Sequence, residues 1–399
     1  TQAAYYGHRV AVVERRAGAG GSAIAVSGVP VKALRDAALY LSGWSRKETF
    51  GVGLDLTPAE VMTRLSGHTQ EVVSSMAAAV AANLERHGVD VVHGHARLGP
   101  DRTVTVTEPD GGVRVLRAGT VLLATGSRPH HPEGLPFDDP DVHDSESILA
   151  IAELPRRIVI VGGGPVGTEY ASILAAVGVE VTLVDPGGRL LPTIDAEVAD
   201  ALVASLERAG ATLVLDGRVQ SVTRDGDDLV VDLGGRELRT DAVLHALGRT
   251  GNVEGMGLEE IGVEVGRRGR VVVDRDFRTT APWVYAAGDI TGPPGLASVA
   301  MEQARVAMCR AFGIPFKEVL DEFVPTGIYT LPEVSMVGLT EAAARELSDD
   351  VGTGRTWFSG NARARISGST EGMLKLVFRA SDRTLLGAHI LGEEATELI

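Results

Sequence analysis

The chain has 399 residues, 44% of them apolar and 23% charged, with a formal net charge of −15. That length suits two or three domains with sizeable cores, and the negative field disfavours nucleic acid or an anionic membrane as partner. A single cysteine, Cys309, excludes an intrachain disulfide and Cys-rich metal sites, and no signal peptide or bilayer-length apolar run is evident, so the sequence reads as cytoplasmic.

In chain order, Gly7 is followed by the β-branched run Val10-Ala11-Val12-Val13, which ends at Glu14. Alone, Glu14 reads either as a surface acid or as a ribose contact. Thr120 to Leu123 forms a strand entering Ala124-Thr125-Gly126-Ser127-Arg128-Pro129. His130 and His131 then precede Pro132 in what reads as a solvent loop, with no partner ligands at metal spacing. Ile158 to Val161 is a buried parallel strand entering Gly162-Gly163-Gly164-Pro165-Val166-Gly167. A helix over Thr168 to Val177 ends at Gly178, and Val179 to Val184 forms the next strand, ending at Asp185. Strand, Gly-x-Gly-x-x-Gly, helix, strand and acid together point to a dinucleotide. Gly162 permits the tight turn, Gly164 lets the backbone approach a pyrophosphate, and Gly167 lets helix pack on strand. The helix start supplies N–H groups for phosphate, and Asp185 accepts from ribose hydroxyls.

The segment Gly7 to Glu14 repeats Gly178 to Asp185, with the acid seven residues after the glycine in both. The same offset that separates Gly162 from Asp185 places the first unit's glycine loop before residue 1, so the sequence is expected to open inside that unit's helix. Two such units imply two bound dinucleotides, or one nucleotide and a flavin. Further along, Thr212 to Leu215 and Leu229 to Leu233 suggest an antiparallel meander. Asp241 to Leu247 enters Gly248-Arg249-Thr250-Gly251, and Trp283 to Ala287 enters Gly288-Asp289, as expected where strand ends line a ligand crevice. Arg267, Arg268 and Arg270 read as a solvated turn. Cys309, in Val306-Ala307-Met308-Cys309, reads as a buried helical thiol. From about residue 320 the texture becomes that of a separate α+β domain.

These features resemble the pyridine nucleotide–disulfide reductase family of FAD enzymes. The resemblance rests on the glycine unit at Gly162, on Ala124-Thr125-Gly126, on Gly248-Arg249, on Tyr285-Ala286-Ala287-Gly288-Asp289 and on Pro332-Glu333. Within the family the chain is most similar to the soluble pyridine nucleotide transhydrogenases, through Lys32-Ala33-Leu34-Arg35, Gly126-Ser127-Arg128-Pro129, Gly248-Arg249-Thr250-Gly251-Asn252 and Pro325-Thr326-Gly327-Ile328-Tyr329-Thr330. A disulfide-less quinone reductase of the same fold is the nearest rival. The resemblance implies an α/β fold with two Rossmann-like dinucleotide-binding domains and a C-terminal α+β dimerisation domain. The FAD-binding domain is expected at 1–150 and 271–320, the NAD(P)-binding domain at 151–270 and the interface domain at 321–399. Disulfide-reducing members carry a Cys-x4-Cys pair, which aligns here with Ala23 and Gly28, so dithiol exchange is excluded at this site. Val31 stands where the transhydrogenases usually have Ser.

By the same resemblance, Glu14 binds the FAD ribose, and Arg15 through Ala23, including Gly20, Gly21 and Ser22, run along its pyrophosphate. Ala96, Ala124, Thr125 and Gly126 meet the adenylate, Asp289 bonds the ribityl chain, and the helix starting near Ala297 aims its N-terminus at the flavin. Ser145 is placed among the cofactor contacts. Lys32 matches the lysine near flavin N5 and Glu169 the glutamate that pairs with it. Otherwise they read as a solvated helix lysine and a first-turn acid. Pro165 stands where some relatives have an aromatic lid. Gly162, Gly164, Gly167, Asp185, Arg189 and Gly248 are expected to bind NAD(P). Asp185 favours NAD(H), while Arg189 offers a contact to a 2′-phosphate. Hydride exchange between NADPH and NAD+ through FAD is the function implied, with quinone reduction and a non-catalytic flavin- or nucleotide-binding module as alternatives. A homodimer and no metal are expected.

Overall fold

The computed structural model describes residues 1–42 and 56–399, which divide into two compact units. The first comprises Thr1–Pro30, Glu71–His130 and Arg249–Glu322. Its strand Ala11–Glu14 pairs in parallel with Asp90–His93. An antiparallel meander of His95–Gly99, Thr103–Thr107 and Val113–Arg117 follows. The central strand is Thr-Val-Thr-Val-Thr, and period-two alternation buries Val104 and Val106. The chain then returns through Val121–Leu123, which pairs in parallel with Val284–Ala286. Val92, Leu98, Leu123, Met256, Val284 and Ile290 fill the core between these strands.

The second unit comprises Val31–Gln70, His131–Gly248 and Phe323–Ile399. It contains a five-stranded parallel sheet in the order Thr212–Val214, Glu180–Val184, Arg157–Val161, Ala242–His245, Val142–Asp144. Ile158 to Val161 are all buried, as a strand covered on both faces requires. Helix Pro165–Ala176 is likewise buried from Gly167 to Ala175. Helix Ala196–Arg208 is amphipathic: Val198, Ala199, Leu202 and Leu206 face the core. The order strand, antiparallel meander, returning strand recurs here, with Ser221–Asp225, Asp228–Asp232 and Glu237–Thr240 as the meander.

One element differs from expectation. Thr212–Val214 is not a meander strand but the parallel edge strand beside Glu180–Val184. Helix Ala196–Arg208 carries the chain back across the sheet, and such a crossover delivers a parallel neighbour. The meander begins only at Ser221. The C-terminal segment has its own antiparallel sheet, ordered Thr326–Ile328, Glu333–Gly338, Leu385–Gly392, Met373–Arg379, Val351–Trp357, with short helices at Glu341–Leu347 and Ala362–Ser367.

Lys375, on strand Met373–Arg379, is 2% exposed and reaches Asp195 Oδ1 and Glu341 Oε2, each at 2.8 Å. Asp195 is equally buried, caps helix Ala196–Arg208 through Glu197 N–H, and also accepts from Glu341 N–H. Burial alone lowers a lysine's pKa, but the two carboxylates override it and raise that of Lys375. Removing the cation strands a buried anion, so Lys375→Met should lower stability by about 3–5 kcal/mol in urea unfolding. Lys375→Met combined with Asp195→Asn should recover part of that loss. A single-variant loss below about 1 kcal/mol would contradict this account.

Candidate dinucleotide sites and the Lys32–Glu169 pair

The second unit builds its glycine loop by close approach of backbone to backbone. At Gly162, φ is +115° and a Cβ would stand 2.6 Å from the Ala246 carbonyl oxygen. A Cβ at Gly167 would stand 1.8 Å from the Gly162 carbonyl oxygen, so helix and strand touch only because neither residue has a side chain. At Gly164 the same atom would meet nothing within 4 Å. The loop therefore turns an open face outward at the residue that begins helix Pro165–Ala176, whose first turn has no side-chain cap. Such an opening, with free N–H groups and the positive dipole end behind it, fits a pyrophosphate.

Asp185 lies just beyond strand Glu180–Val184 and ties this loop together. Its Oδ2 accepts from Gly163 N–H at 2.5 Å and its Oδ1 from Gly187 N–H at 2.7 Å. Each oxygen keeps a further lone pair for a ribose hydroxyl. Arg189 donates to the Pro192 carbonyl at 3.3 Å. Gly248, with φ +90°, turns the chain after strand Ala242–His245.

Glu169 sits one turn into the buried helix and is 6% exposed. Lys32, on helix Gly28–Ser42, donates to both of its oxygens at 2.9 Å. Tyr329 N–H supplies a third bond at 2.8 Å. Lys32 is thus not a freely solvated lysine, and Glu169 is not merely a first-turn acid. Val31, Leu34 and Ala38 hold the lysine's helix against the core together with Met62 and Leu65. Ser145 contributes its carbonyl, which accepts from the buried Tyr170 hydroxyl at 2.9 Å.

The first unit repeats the acid's geometry. Glu14 Oε1 accepts from Arg16 N–H, two residues on, at 2.9 Å, as Asp185 does from Gly187. Gly7 and Gly178 precede the two strands with φ of +86° and +91°. After Glu14, Arg15 is exposed, and Gly20 and Gly21 take φ of +121° and +63° to lead into the short helix Gly21–Ala25, which carries Ser22 and Ala23. Gly126, with φ +66°, leaves an opening whose nearest atom to a Cβ is Ser22 Oγ at 3.9 Å. Beside it, Thr125 and Asn252 exchange hydrogen bonds at 2.8 Å, and Ala124 is exposed. Ala96 lies in the meander, paired with Val106.

Asp289 Oδ2 accepts from Ser127 Oγ at 2.7 Å, and Arg249 Nε donates to the same hydroxyl at 2.6 Å. Gly288 N–H is held by Gln303 Oε1 at 2.7 Å, and helix Ala297–Phe312 starts at an exposed Ala297 without a side-chain cap. These openings fit a second dinucleotide. Ser127, Arg249, Gln303 and Tyr329 were not singled out from sequence as site residues. Ser127, Arg249 and Tyr329 lie within recognised motifs but meet partners more than a hundred residues away, which no spacing announces, and Gln303 reaches Gly288 from the next helix.

Comparison with known proteins agrees with this geometry. The pyridine nucleotide-disulphide oxidoreductase model matches residues 1–304, and that family's dimerisation-domain model matches 324–399. The chain belongs to the pyridine nucleotide–disulfide oxidoreductase family. It is an FAD-dependent NAD(P) oxidoreductase whose cofactors are FAD and NAD(P).

A soluble pyridine nucleotide transhydrogenase from Hahella chejuensis is 37% identical, over all of this chain and 85% of that protein. One from Mycobacterium bovis is also 37% identical, over 98% of this chain and 84% of its own length. Among solved structures, LpdA from Mycobacterium tuberculosis has a TM-score of 0.90 at 29% identity, covering 100% of this chain and 88% of that one. The flavoprotein disulfide reductase RclA from Escherichia coli has a TM-score of 0.88 at 27% identity, covering 99% and 86%.

Unlike members that reduce disulfides, this family member has no pair of thiols. The positions expected for such a pair hold Ala23 and Gly28, and the one thiol, Cys309, is buried in helix Ala297–Phe312. A Cβ at Gly28 would stand 2.7 Å from the Ala23 carbonyl oxygen. No cluster of three or more His, Cys, Asp or Glu placed to hold a metal occurs among the described residues. His130 bonds Thr250 Oγ1 at 3.0 Å, and His131 bonds Asp144 at 2.7 Å while stacking on Phe137. Both histidines are therefore held by partners rather than loose in a solvent loop. No helix among the described residues is long and apolar enough to cross a membrane.

His245, at the end of its parallel strand, is 2% exposed, and neither ring nitrogen has a hydrogen-bond partner. Burial, with a smaller contribution from His131, lowers its pKa to about 4 from 6.5. Below pH 6.5 the unfolded chain binds a proton that the folded chain refuses, so stability falls as pH drops through 6.5 toward 4. Between pH 7.5 and 5 this site should account for about 2 kcal/mol of that loss. Urea unfolding of His245→Leu at both pH values should show a correspondingly flatter profile. An unchanged slope would mean that the ring finds a partner when protonated.

Proposed function

We propose that the protein passes hydride from NADPH to NAD+ through bound FAD, giving NADP+ and NADH, and that it does so without a disulfide relay. The observation that carries this reading is the Lys32–Glu169 pair, held at 2.9 Å in a family member that has no second cysteine. The two 37%-identical relatives, both soluble pyridine nucleotide transhydrogenases, support it. Bound FAD supplies a two-electron carrier that takes hydride from one nicotinamide and gives it to another.

The chain's own residues bind and orient. Gly162, Gly164, Gly167 and Gly248 form the NAD(P) cradle. Asp185 takes the ribose hydroxyls, and Arg189 takes a 2′-phosphate when one is present. Glu14, Arg15, Gly20, Gly21, Ser22, Ala23, Ala96, Ala124, Thr125, Gly126, Ser145, Asp289 and Ala297 hold FAD. Lys32 presents a cation that favours the electron-rich flavin, and Glu169 fixes that cation's position. We assign 1–150 and 271–320 to FAD binding, 151–270 to NAD(P) binding and 321–399 to the interface of a homodimer. The dimerisation-domain match supports the last assignment.

The decisive measurement is anaerobic reduction of the FAD-loaded enzyme by NADPH, followed by addition of thio-NAD+ or menadione in separate cuvettes. Rapid flavin reoxidation by thio-NAD+, with formation of the reduced analogue, is expected. Reoxidation by menadione alone would reassign the protein as a quinone reductase. Failure of both NADPH and NADH to bleach the flavin would leave a binding module. For nucleotide choice, Asp185→Asn removes a charge that repels the 2′-phosphate. It should shift the ratio of kcat/KM for NADPH over NADH upward by about tenfold, or 1.4 kcal/mol. An unchanged ratio would remove Asp185 from nucleotide discrimination.

A further inference from the structure

Lys32 and Glu169 have a third partner. Tyr329 directly follows strand Thr326–Ile328 of the C-terminal sheet. Its backbone N–H donates to Glu169 Oε1 at 2.8 Å, and its ring centroid lies 4.7 Å from Lys32 Nζ. One residue therefore touches both members of the pair, the anion through its main chain and the cation through its aromatic face. We propose that Tyr329 is a positioning residue for the Lys32–Glu169 pair, and that its ring keeps the lysine charge oriented and only partly hydrated. The inference rests on the reading of Lys32 as the cation that serves the flavin.

The physical reason lies in the asymmetry of the pair. The Glu169 side chain is 8% exposed, whereas that of Lys32 is 34% exposed. The carboxylate is pinned by burial and by three hydrogen bonds, two from Lys32 Nζ and one from Tyr329 N–H. The ammonium sits on a flexible four-carbon stem and has an open side, where water would screen its field. One carboxylate already compensates the ammonium, and a second on that side would hold the lysine but leave the cluster net negative. An aromatic face attracts the cation through its quadrupole while carrying no net charge, so the lysine is held without a further negative charge beside it. Because Glu169 accepts from the Tyr329 main chain, side-chain substitution leaves that bond in place and tests the ring alone.

The experiment compares the FAD holoenzyme with Tyr329→Leu, Tyr329→Phe and Lys32→Met. It reads the midpoint potential of the bound flavin, the rate of flavin reduction by NADPH, FAD content and the thermal unfolding midpoint. Tyr329→Leu should make the potential more negative and slow flavin reduction by about three- to tenfold with KM for NADPH unchanged. Tyr329→Phe, which keeps an aromatic face, should stay within about twofold of the parent. Lys32→Met should exceed both.

If Lys32→Met lowers potential and rate while Tyr329→Leu changes neither, the proposal is overturned and the lysine reading stands. If Lys32→Met changes neither, the lysine reading itself fails, and this inference with it. A Tyr329→Leu protein that unfolds earlier at unchanged potential assigns the ring to packing alone and also overturns the proposal. Tyr329→Met provides the same comparison should the Leu variant fail to accumulate.

Discussion

A carboxylate buried inside a buried helix is the constraint on which the second unit's arrangement depends. Helix Pro165–Ala176 has no solvent-facing stripe from Gly167 to Ala175, so Glu169 cannot discharge its desolvation cost by turning outward. It must be met where it stands, and it is met from two directions. Lys32 arrives on helix Gly28–Ser42, and the Tyr329 N–H arrives at the end of the first strand of the C-terminal sheet. The glycine loop, the lysine's helix and the C-terminal sheet are thereby referenced to one side chain. Leaving such a group half satisfied costs more than the bonds contribute when complete, and this makes the geometry specific.

The duplicated plan of the two units has a comparable local anchor. In each, an acid at a strand's end, Glu14 closing Ala11–Glu14 and Asp185 following Glu180–Val184, bonds the N–H two residues further on, Glu14 that of Arg16 and Asp185 that of Gly187. An acid at this place is therefore occupied with shaping its own turn as well as available to a ribose. Its substitution alters loop geometry along with charge. This is why the conservative Asp185→Asn, which retains one carbonyl oxygen as an acceptor, is a cleaner probe of nucleotide choice than truncation to alanine.

The sequence made the chemistry-bearing turns legible because their causes are local. Gly167 is a glycine for a steric reason that acts over five residues, the Gly162 carbonyl, whereas Gly162 meets the distant Ala246 and is legible only through the motif it opens. The run Ile158 to Val161 announces a strand covered on both faces. The duplication was legible at the acid and its preceding glycine, and Gly7 and Gly178 do share a backbone conformation. Thr212–Val214 was misassigned because a short apolar run carries no information about which neighbour it pairs with. The preceding helix decided that. The meander in the first unit is less legible because only its central strand, Thr-Val-Thr-Val-Thr, alternates cleanly, while His95–Gly99 and Val113–Arg117 place arginines among their few apolar residues. Contacts such as Ser127 with Asp289, or Tyr329 with Glu169, bridge more than 150 residues and have no signature short of the fold itself.

The lost thiols also involve more than side-chain replacement. Where the family's second cysteine would stand, a Cβ on Gly28 would lie 2.7 Å from the Ala23 carbonyl oxygen, closer than a real Cβ approaches backbone. The backbone between the two positions has closed into space that a side chain would need. Placing two cysteines at 23 and 28 would therefore require this segment to open before a disulfide could form. Composition excludes dithiol exchange here, and the present backbone leaves no room for a Cβ at Gly28 without a shift. The two-electron chemistry proposed for the chain is hydride traffic between flavin and nicotinamide, and the lysine proposed to serve it is held against the Glu169 carboxylate. The uncharged face of Tyr329, 4.7 Å from the ammonium, attracts that cation without adding a second negative charge.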